Sequence, residues 1–307
     1  MRVGFIGLGM MGRPMAANLD KAGYSVQSFD LNGTGSCSSA RAAATGADVL
    51  ITMVPGSKAV RKAVLAALPG LRSGAIVIDM SSSAPLDTKK LSSILRKKNI
   101  SLLDAPVSGG VKKAADGTLA IMAGGAAAHI ERVRPLLEKL GARIFLTGPL
   151  GSGHAMKALN NYVSAAGLAA TAEALVVGER FGLDPATVTD ILNASTGRNN
   201  TTEVKVKQFM LSGAFNSGFS VGLMAKDLAT AAELADAMGA RADFAHRCAE
   251  LWQQAAHHLG AGADHTAMYK YLQDLKRPSA AAGRKRLPSR GAASPRAGSP
   301  RKRRRST

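Results

Sequence analysis

Lys157 and Asn161, a charged and a polar side chain at helical spacing, are the residues of this chain best placed to do chemistry together. They lie in Gly151-Ser152-Gly153-His154-Ala155-Met156-Lys157-Ala158-Leu159-Asn160-Asn161. A separation of four stacks side chains on one face of a helix, so both can reach one ligand. The small Gly and Ser residues ahead of the lysine permit close approach to a neighbouring layer. A lysine in such a crevice can take or return an alcohol proton while hydride leaves the carbon. Spacing alone leaves a second reading open, an ordinary solvated lysine on a helix surface.

A departing hydride needs an acceptor, and Gly7-Leu8-Gly9-Met10-Met11-Gly12 reads as the cradle for one. The pattern directly follows a strand and opens a helix carrying Pro14, Met15, Ala16 and Leu19, the context a dinucleotide fingerprint requires. Gly7 allows the tight turn, Gly9 lets backbone approach the pyrophosphate, and Gly12 lets helix and strand pack closely. Free N–H groups at the helix start receive the anion, so Leu8, Met10 and Met11 are assigned to the cofactor as well. Asp30 ends the second strand, 18 residues beyond Gly12, where a carboxylate accepts from adenosine ribose hydroxyls and repels a 2′-phosphate. That favours NAD over NADP. The other reading of Asp30 is a turn residue opening Asp30-Leu31-Asn32-Gly33.

Two more segments carry polar groups at suggestive places. Asp104-Ala105-Pro106-Val107-Ser108-Gly109-Gly110 follows a strand and is too glycine-rich to be helical. The Ser108 hydroxyl and the backbone N–H groups of Gly109 and Gly110 can cradle a carboxylate, or the segment is a simple tight turn. Met224-Ala225-Lys226-Asp227-Leu228 places opposite charges side by side in a helical run, which taken alone reads as a solvated surface pair.

The elements that must hold these groups follow from periodicity. Strands are expected at residues 3–6, 24–29, 49–54, 75–79, 100–103, 119–122 and 143–145, alternating with amphipathic helices such as 57–68 and 85–97. Beyond Gly148-Pro149-Leu150-Gly151 the strand signal ends and helices follow, the first running over about residues 154–181 as a spine. The expected architecture is α/β: a doubly wound Rossmann domain over residues 1–150, then an all-α substrate and oligomerisation domain over 151–275 with a long interdomain helix. Residues 276–307 form a basic tail.

Composition narrows the class. No run of about 18 uninterrupted apolar residues exists, so no bilayer crossing is expected. The first strand begins at Arg2 without room for a leader, and cytoplasm is the expected compartment. Cys37 and Cys248 lack the spacing of a disulfide framework or a zinc cluster, and no metal is expected. The net charge of +19 suggests nucleic acid, yet residues 276–307 hold 12 of the 40 Lys and Arg and no acid, leaving 28 basic against 21 acidic residues before them. That tail, rich in Pro, Ser, Gly, Ala and Arg, cannot offset the entropy of ordering itself and is expected to be disordered.

In their order along the chain, these segments resemble the β-hydroxyacid dehydrogenase family, which includes 3-hydroxyisobutyrate dehydrogenase and tartronate semialdehyde reductase. The resemblance covers residues 1 to about 275 and rests on residues 5–16, 104–110, 151–161 and 224–228. It implies that Lys157 is the acid/base lysine and that Asn161, with Asn160 a weaker candidate, holds the substrate beside it. Ser108, Gly109 and Gly110 then take the substrate carboxylate, and Val54, Pro55 and Ser82 lie beside the nicotinamide ribose. Lys226 closes over cofactor and substrate, with Asp227 alongside. The implied reaction is NAD-dependent oxidation of a 3-hydroxy acid to its semialdehyde, or the reverse, by a homodimer or homotetramer. Ser195-Thr196-Gly197-Arg198 looks like the hydroxyisobutyrate branch, whereas Asn199-Asn200-Thr201-Thr202-Glu203 departs from it at a segment expected to face the substrate.

A rival class is a nucleic-acid or chromatin-binding protein on the same fold, with the tail holding polyanions. Lys157 argues against it, since a scaffold without turnover needs no such lysine. If the tail is incidental to catalysis, a chain lacking residues 277–307 keeps full turnover in a steady-state assay, and a large loss of rate would refute this.

Overall fold

Runs such as Val49–Thr52 and Ile76–Asp79 are apolar at consecutive positions, the mark of strands covered on both faces. In a computed structural model, which describes residues 1–275, they sit at the centre of an eight-stranded sheet. The strands are β1 (Arg2–Ile6), β2 (Ser25–Phe29), β3 (Val49–Thr52), β4 (Ile76–Asp79), β5 (Ser101–Asp104), β6 (Val107–Ser108), β7 (Leu119–Gly124) and β8 (Gly141–Gly148). The sheet order is β2-β1-β3-β4-β5-β7-β6, with β8 also paired to β7. The pairs from β2 to β5 are parallel, and β5 and β6 meet β7 antiparallel.

Side chains alternate across this sheet with the strand period of two. Val49, Ile51, Ile76 and Ile78 enter one core, and Leu50 and Val77 enter the other. The first core is covered by α1 (Gly12–Lys21) and helices further along, and the second by α2 (Ala40–Ala44), α3 (Ser57–Ala67) and α4 (Pro85–Arg96). The sheet is thus doubly wound, with its switch point between β1 and β3, where a ligand crevice opens at the strands' carboxyl ends.

The expected strands are present with ends shifted by one to three residues, and two features were not foreseen. Val107–Ser108 is a short strand, fixed by pairing to Ile121 and Ala120 of β7 rather than by any local pattern. The glycine-rich segment gives way at Gly110 to a short helix, α5 (Gly110–Ala115), before α6 (Ala127–Leu137).

From Ser152 onward the chain is helical: α7 (Ser152–Phe181), α8 (Pro185–Ala194), α9 (Asn200–Val204), α10 (Val221–Ala237), α11 (Asp243–Leu259) and α12 (Met268–Asp274), with a π-helical turn at Val206–Leu211. At 30 residues α7 spans about 45 Å. Its first turn lies against β7, where a side chain at Gly153 would meet the Met122 carbonyl. Its later turns bury Ala165, Leu168, Ala172 and Leu175 in a core shared with α10, α11 and α12 around Trp252. Residues 276–307, where the basic tail was expected, lie outside the described residues. Among the described residues no helix is long and apolar enough to cross a membrane.

One titratable group is buried deep in this helical core. His265 is 3% exposed and stacks on Trp252. Burial first, and then the neighbouring Lys205 ammonium, push its pKa from 6.5 down to about 4, against the opposing pull of Asp264. The unfolded chain therefore takes up a proton below pH 6.5 that the folded chain refuses. His265 costs no stability above that pH, and stability falls as pH drops from 6.5 towards 4, by up to about 3 kcal/mol. Urea unfolding across this window should show the loss, and His265→Asn should remove it; an unchanged slope in the variant would contradict the assignment.

Candidate active site

The three glycines after β1 are required for different reasons. Gly7 has φ +101°, and a Cβ there would stand 2.2 Å from the Met53 carbonyl oxygen. A Cβ at Gly12 would stand 1.9 Å from the Gly7 oxygen, so helix α1 can lie on β1 only without a side chain there. Nothing lies within 4 Å of a Cβ built at Gly9. No protein atom demands glycine at that position, which is what a loop left open for a pyrophosphate requires. Met10 is exposed at the crevice with Met11 beside it, and both line the cavity described below. Leu8 is used differently: its N–H donates to Asp30 Oδ2 at 2.7 Å and its side chain enters the sheet core.

Asp30 accepts that bond and a second from the Asn32 N–H at 2.8 Å, so the turn reading and the acceptor reading hold together. A carboxylate has about four lone-pair sites. Two are used here, and the remaining ones are free for ribose hydroxyls. The loop and Asp30 therefore fit a nicotinamide dinucleotide.

A cavity of about 200 Å³ adjoins the loop, bounded by Val54, Pro55, Ser82, the Ser108-Gly109-Gly110 turn, Lys157, Lys226 and Asp227. It is smaller than pockets for drug-sized ligands and suits a small acid. The sequence reading missed part of its wall: Met53, Val107, Val111, Phe219 and Leu223. Phe219 stands in a Ser-Gly-Phe-Ser loop just ahead of α10, and an aromatic in such a loop was the one available signal. One expectation fails. Residues 199–203 do not line the cavity; Thr201 and Thr202 are buried, and Asn199 caps α9 and bonds Thr171. Asp104, at the head of the Ser108 segment, is not part of the cavity wall. Its buried carboxylate accepts from the N–H groups of Gly151 at 2.7 Å and His154 at 2.8 Å, anchoring the start of α7 to the sheet.

The polar groups meet on Asp227, which is 2% exposed and so no solvated surface charge. Ser82 Oγ donates to one of its oxygens at 2.6 Å, and Asn161 Nδ2 to the other at 2.5 Å. Lys226 Nζ lies 3.1 Å from Asp227 and donates to the carbonyls of Ser82 at 2.6 Å and Pro55 at 3.1 Å. The loops after β3 and β4 are thereby strapped to α7 and α10. Spacing suggested that Lys157 and Asn161 face one ligand. Instead Lys157 lines the cavity while Asn161 lies buried behind it on Asp227, with Asn160 Nδ2 donating to the Asn161 oxygen at 3.1 Å.

Lys157 is half-buried, and desolvation holds its pKa below the ordinary lysine value. The Asp227 charge opposes this shift and the Lys226 charge adds to it. The amine is therefore more available as a proton acceptor near neutrality than a surface lysine.

Known proteins are similar to this chain along most of its length. Residues 2–148 match the family model described as the NAD binding domain of 6-phosphogluconate dehydrogenase. Residues 151–272 match the one described as NAD-binding of NADP-dependent 3-hydroxyisobutyrate dehydrogenase. An NAD-dependent L-serine dehydrogenase of Pseudomonas aeruginosa is 40% identical over 77% of this chain and 86% of its own length. A 2-(hydroxymethyl)glutarate dehydrogenase of Eubacterium barkeri is 38% identical over 76% and 82%. The solved structure of Mycobacterium tuberculosis 3-hydroxyisobutyrate dehydrogenase with L-serine superposes with a TM-score of 0.82 at 35% identity, covering 89% of this chain and 99% of that one.

The electrostatics of the lysine can be read without turnover. Competitive acetylation followed by peptide mass spectrometry should find Lys157 titrating below the surface lysines. Asp227→Asn should move it further down and Lys226→Met back up; shifts of the opposite sign would refute the charge assignment.

Proposed function

Because the chain belongs to the β-hydroxyacid dehydrogenase family, we propose that it oxidises 3-hydroxyisobutyrate to its semialdehyde with NAD, or runs the reverse, with Lys157 as acid/base. The observation that carries this reading is the half-buried Lys157, of lowered proton affinity, on the wall of a cavity between the glycine loop and the Ser108-Gly109-Gly110 turn. Bound NAD supplies the hydride acceptor. Gly7, Gly9, Met10, Met11 and Gly12 form the loop that would hold its pyrophosphate, with Leu8 tying that loop to Asp30; Asp30 would hold its adenosine ribose, and Val54, Pro55 and Ser82 its nicotinamide ribose. Lys226 keeps the last two loops in place.

The neutral Lys157 amine takes the hydroxyl proton during oxidation, and the ammonium returns it in reduction. Asn161, which does not line the cavity, acts on the site through the bond its Nδ2 gives to Asp227. Ser108 Oγ and the N–H groups of Gly109 and Gly110 hold the carboxylate, and Asp227 fixes Ser82 and Asn161 around it. Residues 1–150 then serve the cofactor, and 151–275 serve substrate and assembly.

The substrates in the relatives' names share a primary alcohol carbon attached to the carbon that bears a carboxylate. They differ in the remaining substituent on that carbon: methyl, amino or carboxyethyl. Phe219, Leu223 and Val111 offer it apolar surface, which supports the methyl of 3-hydroxyisobutyrate over a charged group. The Asp30 carboxylate supports NAD over NADP. Val163, Val177 and Phe181 of α7 are 68, 69 and 83% exposed, which supports a homodimer or homotetramer built on the helical part. A cytoplasmic setting fits the free thiols of Cys37 and Cys248.

Purified protein assayed at alkaline pH with 3-hydroxyisobutyrate, L-serine, D-glycerate, 3-hydroxypropionate and L-threonate should form NADH fastest with the first, and faster than NADPH. Lys157→Ala should lose about 10²–10⁴-fold in kcat. Faster turnover of another acid would replace the substrate, and undiminished turnover in the variant would remove the lysine from the mechanism.

A further inference from the structure

Phe219 and Gly218 wall the cavity from a loop, residues 212–220, that has no regular structure of its own. Something must fix it, and the contacts converge on three consecutive residues after α11, Ala263, Asp264 and His265. Asp264 accepts from Ser217 Oγ at 2.9 and 3.0 Å and from the Gly218 N–H at 2.9 Å. Val221 N–H donates to the Ala263 carbonyl at 2.7 Å, and His265 N–H to the Phe219 carbonyl at 2.8 Å. The His265 ring adds a contact of a different kind. Its Nδ1 lies 3.0 Å from that same Phe219 carbonyl, and its Nε2 lies 3.1 Å from Lys205 Nζ.

The partners decide the tautomer. An ammonium only donates and a carbonyl only accepts, so Nε2 must be the bare nitrogen and Nδ1 must carry the proton. Ser217 Oγ, 3.1 Å from Nδ1, has given its own proton to Asp264, so towards the ring it acts only as a second acceptor that shares the Nδ1 proton with the Phe219 carbonyl. The ring also packs edge-on to Phe219 at 5.7 Å and is backed by Trp252. Ser220, the next residue, caps α10 by accepting from the Leu223 N–H, and α10 carries Lys226 and Asp227. Neither Lys205 nor His265 touches the cavity.

We infer that His265 is a positioning residue for the substrate: held by Lys205 as its Nδ1–H tautomer, it anchors the Phe219 backbone and so sets the part of the cavity wall that Phe219 forms. This rests on the reading of the cavity as a hydroxy-acid site. Replacing the imidazole without replacing its Nδ1 donor loosens the wall. Substrate affinity falls, while the cofactor loop, which lies on the sheet, keeps its own.

The test compares His265→Leu, His265→Asn and Lys205→Met in the full chain with saturating NAD. Asn places an N–H where Nδ1 stands; Leu places none. His265→Leu should raise KM for the hydroxy acid about tenfold or more, with kcat changed much less and NAD affinity unchanged. His265→Asn should restore most of the lost KM. Equal impairment in Leu and Asn, loss of NAD affinity along with substrate affinity, or no effect of Leu would each overturn the proposal. If His265→Leu fails to fold, Lys205→Met decides: ¹⁵N NMR should show protonated Nδ1 in the wild type and mixed tautomers in the variant, whose KM rises. A wild-type ring protonated on Nε2 refutes the anchor whether or not any acid is turned over. Should no acid react, amide exchange of residues 218–221 replaces KM as the readout: faster in Leu and slow in Asn if the anchor is real, unchanged if it is not.

Discussion

A carboxylate withdrawn from water must be satisfied by its neighbours, and the arrangement around Asp227 follows from that necessity. The charge is nearly fully buried, and an isolated carboxylate in such a place would cost several kcal/mol. It is tolerated because Ser82 and Asn161 donate one bond to each oxygen and Lys226 stands 3.1 Å away. These partners come from a loop of the sheet, from the long helix and from the helix that carries Asp227 itself. Closing the cavity and satisfying the carboxylate are therefore one event. Lys157 is set in the same field, its ammonium favoured by Asp227 and disfavoured by burial and by Lys226.

Behind this centre lies a second buried polar layer. Asp79 accepts from Thr52 Oγ1, the Ser81 N–H and Ser83 Oγ, and Asp104 accepts two N–H groups at the start of α7. His154 stands between them with Nδ1 2.8 Å from Thr88 Oγ1 and Nε2 3.6 Å from Asp79. Lys157 is one turn beyond His154 on the same helix. Its position is thus referred to the carboxyl ends of β4 and β5, the edge at which an open α/β sheet holds its ligands.

Much of this was legible in the residues. Both-face burial wrote continuous apolar runs at Val49–Thr52 and Ile76–Asp79, so the central strands declared themselves. The glycine loop was legible because its spacing, directly after a strand and at the start of a helix, is a local pattern. Strand β6 was not, since two residues carry no period and their pairing to β7 is a long-range event. Lys226-Asp227 looked like a surface pair because spacing reports which face of a helix a residue takes, not what covers that face.

The sequence by itself determined the central strands, the glycine loop after β1 and the helix bearing Lys157, because backbone sterics and hydrophobic period act over a few neighbouring residues. It also supplied the ordered motifs that mark the family. Only the tertiary structure decided that Asp104 anchors a helix rather than a ligand, that Asn161 stands behind Asp227, and that Phe219 walls the cavity. Those outcomes depend on which groups satisfy a buried charge, and the partners that do so lie tens of residues apart, where no local pattern connects them.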